Sequence, residues 1–227
     1  MTRQLPLDLP VPEARGRGDF VVTPSNAAAL AALDAWAHWP GGRMVLVGPP
    51  GSGKTHLAHV WTDAAGAAVM GARALAHGRV PQLASAPLAL DDADRIAGDS
   101  AQEAALFHLI NLAAENRQPL LLTARRVPRD WGADLPDLVS RLMAAPLARI
   151  APPDDALLVA VMTKLFADRQ LRVAPGLVEW LAARMHRSLG HARRLVAALD
   201  AQALATRRPI GPELARDVLA RLAVEGD

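Results

Sequence analysis

Gly48-Pro49-Pro50-Gly51-Ser52-Gly53-Lys54-Thr55 decides how the rest of the chain is read. The apolar run Met44-Val45-Leu46-Val47 precedes it, and His56-Leu57-Ala58-His59-Val60-Trp61 follows with helical spacing. A buried strand, a glycine-bearing turn and a helix start are the context in which successive backbone N–H groups can curl inward around phosphate oxygens. Lys54 is expected to reach the β- and γ-phosphates of a nucleotide, and the Thr55 hydroxyl to sit on Mg²⁺. A Gly/Pro-rich surface turn would match the same letters without needing the strand and helix around them.

Pro87-Leu88-Ala89-Leu90-Asp91-Asp92-Ala93-Asp94 is the second signal. Apolar residues running into carboxylates describe a buried parallel strand whose C-terminal end delivers acids to a ligand crevice. Asp91 is expected in the Mg²⁺ shell, and Asp92 is placed to orient an attacking water or accept its proton. A third core strand, Leu120-Leu121-Leu122-Thr123, ends in a polar residue able to sense the γ-phosphate.

Around these, the chain alternates. Asp19-Phe20-Val21-Val22 is extended, Ser25 or Asn26 caps a helix over Ala27–Trp39, and Ala67–Met70 reads as a strand before a helical turn at Ala72–His77. Ser100 with Glu103 three residues on predicts a capping box for a helix to Asn116. Leu135–Ala144 reads as helical and Leu147–Ile150 as a last strand. After Ala151-Pro152-Pro153 the pattern is helical only: Asp154–Arg169, Pro175–Met185, His191–Thr206 and Pro212–Ala223. Strands alternating with helices, then helices alone, predict a parallel-sheet α/β domain over 19–151 and a small helical lid over 152–227.

Residues 1–18 form a separate tail. Two prolines in Gln4-Leu5-Pro6-Leu7-Asp8-Leu9-Pro10 disfavour helix and sheet, so Leu5, Leu7 and Leu9 can project together as anchors for a partner groove, with Gln4 as a polar contact. A leader whose leucines have no role fits the same pattern. Composition bounds the rest. Among 227 residues there is no cysteine, which removes disulfides and thiolate metal sites, and only Lys54 and Lys164 are lysines. Net charge is +2, too small to demand general nucleic-acid affinity. No stretch approaches a membrane span or a signal peptide, so a soluble cytoplasmic protein is expected.

The set of motifs resembles the AAA+ ATPases, the P-loop NTPases with a parallel sheet flanked by helices and an all-α lid, and within them the DnaA/Hda family. The residues that carry this are Gly53-Lys54-Thr55-His56-Leu57, Leu90-Asp91-Asp92, Thr123-Ala124-Arg125-Arg126-Val127-Pro128, Val139-Ser140-Arg141-Leu142 and His191-Ala192-Arg193-Arg194-Leu195, in family order. The resemblance implies ADP or ATP with Mg²⁺, held by Pro49, Pro50, Gly51, Ser52, Gly53, Lys54, Thr55 and His56. It places Phe20, Val21, Val22 and Asn26 at adenine, and Asp91 and Asp92 as the Walker B acids. Thr123 becomes the first sensor and Arg193 the second, while Arg141 becomes an arginine finger that acts in another subunit's site.

Two departures qualify the likeness. DnaA continues into a helix-turn-helix domain, whereas this sequence ends at Asp227, and its tail resembles the sliding-clamp-binding peptide of Hda. Arg125 stands where the related segments usually carry Asp, which puts hydrolysis at the protein's own site in question. The resemblance implies a regulator that docks on the DNA polymerase III sliding clamp and meets DnaA there, touching DNA only through the clamp, with a homo-oligomer as a further association. An autonomous AAA+ ATPase that loads or remodels a replication complex is the alternative, and an arginine-rich DNA-binding adaptor the third reading.

Overall fold

A computed structural model of the chain describes Arg17 and residues 20–224. The anchor residues Gln4, Leu5, Leu7 and Leu9 lie outside the described residues.

Five parallel strands form one sheet: β1 (Arg43–Val47), β2 (Ala68–Gly71), β3 (Leu88–Asp91), β4 (Leu120–Ala124) and β5 (Leu147–Arg149), ordered β2-β3-β4-β1-β5. The β1, β3 and β4 side chains are buried almost throughout, as expected for strands covered on both faces. Because β1 lies between β4 and β5 while its crossover runs to β2 at the far edge, the C-terminal ends of β1, β3 and β4 share one rim. Ligand crevices of open α/β sheets form at such a rim.

One face of the sheet is covered by α1 (Ala27–Asp34) and α2 (Lys54–Ala65), where Trp39 and Trp61 stack with centroids 5.4 Å apart. The other face carries the four-residue α3 (Val80–Leu83), α4 (Ser100–Glu115) and α5 (Pro136–Met143). A second core belongs to the helices α6 (Asp155–Asp168), α7 (Leu177–Ala182), α8 (Leu189–Thr206) and α9 (Pro212–Val224). Among the described hydrophobic residues before α1, Val21 packs on that helical core, while its neighbour Phe20 packs on the α1/α2 side. The Phe20–Asn26 strap thus straddles both units.

Several local expectations shift. The first helix stops at Asp34 and continues only as a 3-10 turn at Trp36–His38. Residues 72–79 form two 3-10 turns rather than one helical turn, and α3 follows them unannounced by the sequence. Asp99, not Ser100, caps α4 by accepting from the N–H groups of Ala101 and Gln102. Glu103 is released for other work. Although 1% exposed, its carboxylate accepts from Gly98, Asp134 and Leu135 N–H groups at 2.8–2.9 Å, pinning the approach to α5. The eighth helix begins at Leu189, two residues early, because Ser188 caps it through the His191 N–H. Of the two acids offered for α6, Asp154 is the cap, accepting from Leu157 N–H at 2.7 Å.

Candidate functional site

The turn between β1 and α2 is closely built. A Cβ on Gly48 would lie 2.3 Å from Ile150 Cγ2 and 2.9 Å from Ser52 Oγ, so only glycine fits there. Gly51 has φ +71°, and a Cβ on it would meet Ser188 Oγ at 1.9 Å. That contact is where the helical unit touches the loop: Leu189, the first residue of α8, donates its N–H to the Gly51 carbonyl at 2.8 Å. Arg193 follows one helical turn later, half-buried.

Lys54 is 6% exposed, and its ammonium donates to the carbonyls of Gly48 (2.8 Å) and Pro49 (2.9 Å). Burial pushes its pKa below the usual lysine value, against the opposing pull of Asp92 and Asp91. Ser52 Oγ is buried with no hydrogen-bond partner. A lysine destabilised by desolvation and an orphaned hydroxyl, in a cradle that only glycines allow, fit an anionic phosphate chain.

Asp91 is the hub of the rim. Its Oδ2 accepts from the Thr55 hydroxyl at 2.8 Å, and its Oδ1 accepts a short hydrogen bond from the Thr123 hydroxyl. Thr123, fully buried, in turn accepts from the Asp92 N–H at 3.0 Å. The ends of β1's helix, β3 and β4 are thereby tied through two hydroxyls and one carboxylate. Thr55 and Asp91 offer the hard oxygen donors that Mg²⁺ takes, and a bound Mg²⁺ would neutralise phosphate charge there.

Asp92 differs from its neighbour. Its backbone is left-handed, φ 54°, which an Asp tolerates better than most residues. The carboxylate pairs with Arg95 Nε at 2.9 Å and lies 3.9 Å from Arg125. The expected water-orienting acid is therefore engaged by two guanidiniums, one of them the unusual Arg125. Arg95, three residues on, is exposed and belongs to no motif of the sequence.

At the expected adenine end, Phe20 meets the His56 ring edge-on with centroids 5.3 Å apart, and Val22 is 54% exposed. Asn26 is 2% exposed and makes no helix cap. Its side chain accepts from Thr23 N–H and donates to the Val21 carbonyl, both at 2.9 Å, and so shapes the strap. The strap is also tied to the Ala151–Pro153 segment that leads from the sheet to α6. Ala151 donates to the Ser25 carbonyl at 3.0 Å. Hydrogen bonds from Leu157, Thr23 and Ser25 hold the Asp154 carboxyl below its usual range, against the opposing effect of burial.

Arg141 lies elsewhere, exposed in the last turn of α5. Among the described residues no carboxylate forms an ion pair with it. Its charged neighbour is Arg43, whose pKa is lowered by burial and by Arg141. Beside it, Val127, Pro128, Leu142, Met143 and Leu147, with Arg129 and Arg149, line a shallow groove of about 160 Å³. Met143 and Leu147 are 54% and 43% exposed. Among the described residues, no helix is long and apolar enough to cross a membrane.

No family model matches the chain. The chromosomal replication initiator DnaA of Cutibacterium acnes is 26% identical over 91% of this chain, which spans 46% of that relative's length. Domain III of DnaA from Thermotoga maritima superposes with a TM-score of 0.80 at 19% identity, covering 94% of this chain and 98% of that one. AMPPCP-bound DnaA from Aquifex aeolicus gives a TM-score of 0.67 at 18% identity over 80% of this chain and 63% of that one. The chain spans about half the length of the curated relative it matches.

Proposed function

We propose, from the premise that this chain is a DnaA-related protein with the AAA+ P-loop fold, that it acts as an Hda-like regulator of replication initiation. Its own nucleotide, ADP or ATP held by the 48–56 loop with Mg²⁺ on Thr55 and Asp91, orders the helical lid through the Gly51–Leu189 contact and Arg193. The tail residues Gln4, Leu5, Leu7 and Leu9 dock on the DNA polymerase III sliding clamp. Arg141 is lent to ATP held by DnaA, whose hydrolysis switches the initiator off. A guanidinium brought to the transferring phosphoryl group in trans stabilises its spread charge, an effect worth about 10³-fold or more in rate. Tethering to a clamp keeps each contact weak and the encounter frequent.

The observation that carries this reading is the state of Arg141: exposed, beside another cation, facing outward from a partly apolar surface. The engagement of Asp92 by Arg95 and Arg125 supports the companion idea that the protein's own site holds nucleotide more than it turns it over. An autonomous AAA+ ATPase is the second reading. The Thr55–Asp91–Thr123 network favours it, because the metal-side groups of a hydrolytic site are all in contact.

Turnover of DnaA-bound ATP, measured with clamp-loaded DNA and this protein, separates the two. Arg141→Ala is expected to fold, to bind the clamp and to lose stimulation by about 10³-fold. Replacement of Gln4, Leu5 and Leu7 by Ala is expected to lose stimulation only by losing the clamp. Substantial ATP turnover by the protein alone, unchanged by Arg141→Ala, would favour the autonomous enzyme.

A further inference from the structure

At the C-terminal ends of β2, β3 and β4 lies a cavity of about 430 Å³, two of whose arginines, Arg95 and Arg125, are those that also engage Asp92. Arg73, Arg95, Arg125 and Arg126 line it, together with Asp94 and Trp131. They come from the 3-10 turn after β2, the turn after β3 and the loop after β4, so three strand ends aim guanidiniums into one space. Among the described residues, neither Arg73 nor Arg126 has an ion-pair partner. Arg95 spends its Nε on Asp92, which leaves its terminal N–H groups. The Arg126 backbone is fixed from below: its carbonyl accepts from the buried Trp131 indole at 2.8 Å.

Asp94 gives the cavity its selectivity. It is 7% exposed; its Oδ2 accepts from the Arg125 N–H at 3.2 Å, while its Oδ1 is buried with no partner. Four guanidiniums ask for an anion, and an orphaned carboxylate oxygen asks for a proton donor. One ligand class answers both. A phosphate monoester, or inorganic phosphate, is an oxyanion whose monoanion still carries a P–OH proton, lost with a pKa of about 6 in a monoester. Sulfate and phosphodiesters carry no such proton near neutral pH, and would set a bare oxygen against Asp94. We infer that this cavity is a second, phosphate-monoester site, read by Arg73, Arg95, Arg125 and Arg126 for charge and by Asp94 for the P–OH group.

The test is calorimetric titration of the full chain at about pH 6, where a monoester keeps its P–OH proton about half the time, with ADP and Mg²⁺ saturating so that the phosphate loop is already filled. Inorganic phosphate, AMP, sulfate and an unphosphorylated single-stranded oligonucleotide are the four probes. Phosphate or AMP is expected to bind at least about tenfold more tightly than sulfate, the value of one well-placed hydrogen bond. Comparison of the first two distinguishes a free anion from an esterified one. Arg73→Ala and Arg126→Ala, both exposed and expected to fold, should each weaken phosphate binding about tenfold. Asp94→Asn should erase the preference over sulfate. Equal binding of phosphate and sulfate, indifference to both arginine variants, or tighter binding of the oligonucleotide than of phosphate would overturn the assignment. Failure to bind ADP at the outset counts against the nucleotide reading instead, and the two arginine variants still report on this cavity.

Discussion

The phosphate-loop end of the sheet and the α5 surface both present arginine or lysine, yet they treat positive charge in opposite ways. At the loop, Lys54 is buried, donates to two backbone carbonyls and lies in the field of Asp91 and Asp92. On α5, Arg141 is exposed, set beside Arg43, and given no acid among the described residues. On the proposed function, the cation enclosed by its own chain serves a small anion, and the cation held out beside a partly apolar groove serves another molecule. The difference teaches that the same residue class reads as binder or donor according to where its counter-charge must come from.

Three measurements probe that contrast. The largest effect is expected from Lys54→Met, which removes two charge-assisted hydrogen bonds to phosphate at about 2 kcal/mol each. ADP affinity should fall on the order of a thousandfold by calorimetry, while the apo protein keeps its melting temperature, because the ammonium was costly to bury. A large loss of apo stability would mean the lysine is a structural strut, and the contrast with Arg141 would collapse.

Glu103→Ala comes next, on the α5 side. It strands three N–H groups, two of them on Asp134 and Leu135 just before α5, and should cost roughly 3 kcal/mol in urea denaturation. Loss of stimulation should accompany it with nucleotide affinity intact, since the carboxylate positions the helix that carries Arg141 and touches nothing at the loop.

The smallest effect belongs to His191, where the helical unit meets the loop. Burial, with Arg194 and His186 nearby, lowers its pKa, so the folded state favours the neutral ring. The contribution is present above the unfolded value of about 6.5 and is lost as pH falls through it toward the folded value. Between pH 7.5 and 5.5 the wild type should lose more stability than His191→Gln, by at most about 1.4 kcal/mol per pH unit for one proton. Parallel pH curves would remove His191 from the account.

Much of this was legible in local pattern. The apolar run into Gly48–Thr55, the strand into Asp91-Asp92 and the helical C-terminal third each announce themselves within a dozen residues. What stayed hidden was set by neighbours far along the chain. Ser100 and Asp99 are adjacent and equally suited to cap, and only the demand of Asp134 and Leu135 for an acceptor takes Glu103 out of the capping box. Gly190 reads as a break, yet Ser188 starts the helix earlier because its hydroxyl and Leu189 must meet Gly51. Arg73 and Arg95 carry no motif, and Asp94, Arg125 and Arg126 read only as parts of two separate strand ends, until the fold brings all five around one space.

The Phe20–Asn26 strap has a mechanical consequence. Its backbone is bonded to Ala151, and its hydroxyl side chains to Asp154, the cap of the first helix past the prolyl crossing. Any traction on the leader is therefore passed through this strap to that crossing, with the exposed Arg17–Asp34 pair upstream sharing little of the load. Force thus enters the helical bundle through the same strap that is expected at the adenine, so a pull on the leader and an occupant of the site load the same residues.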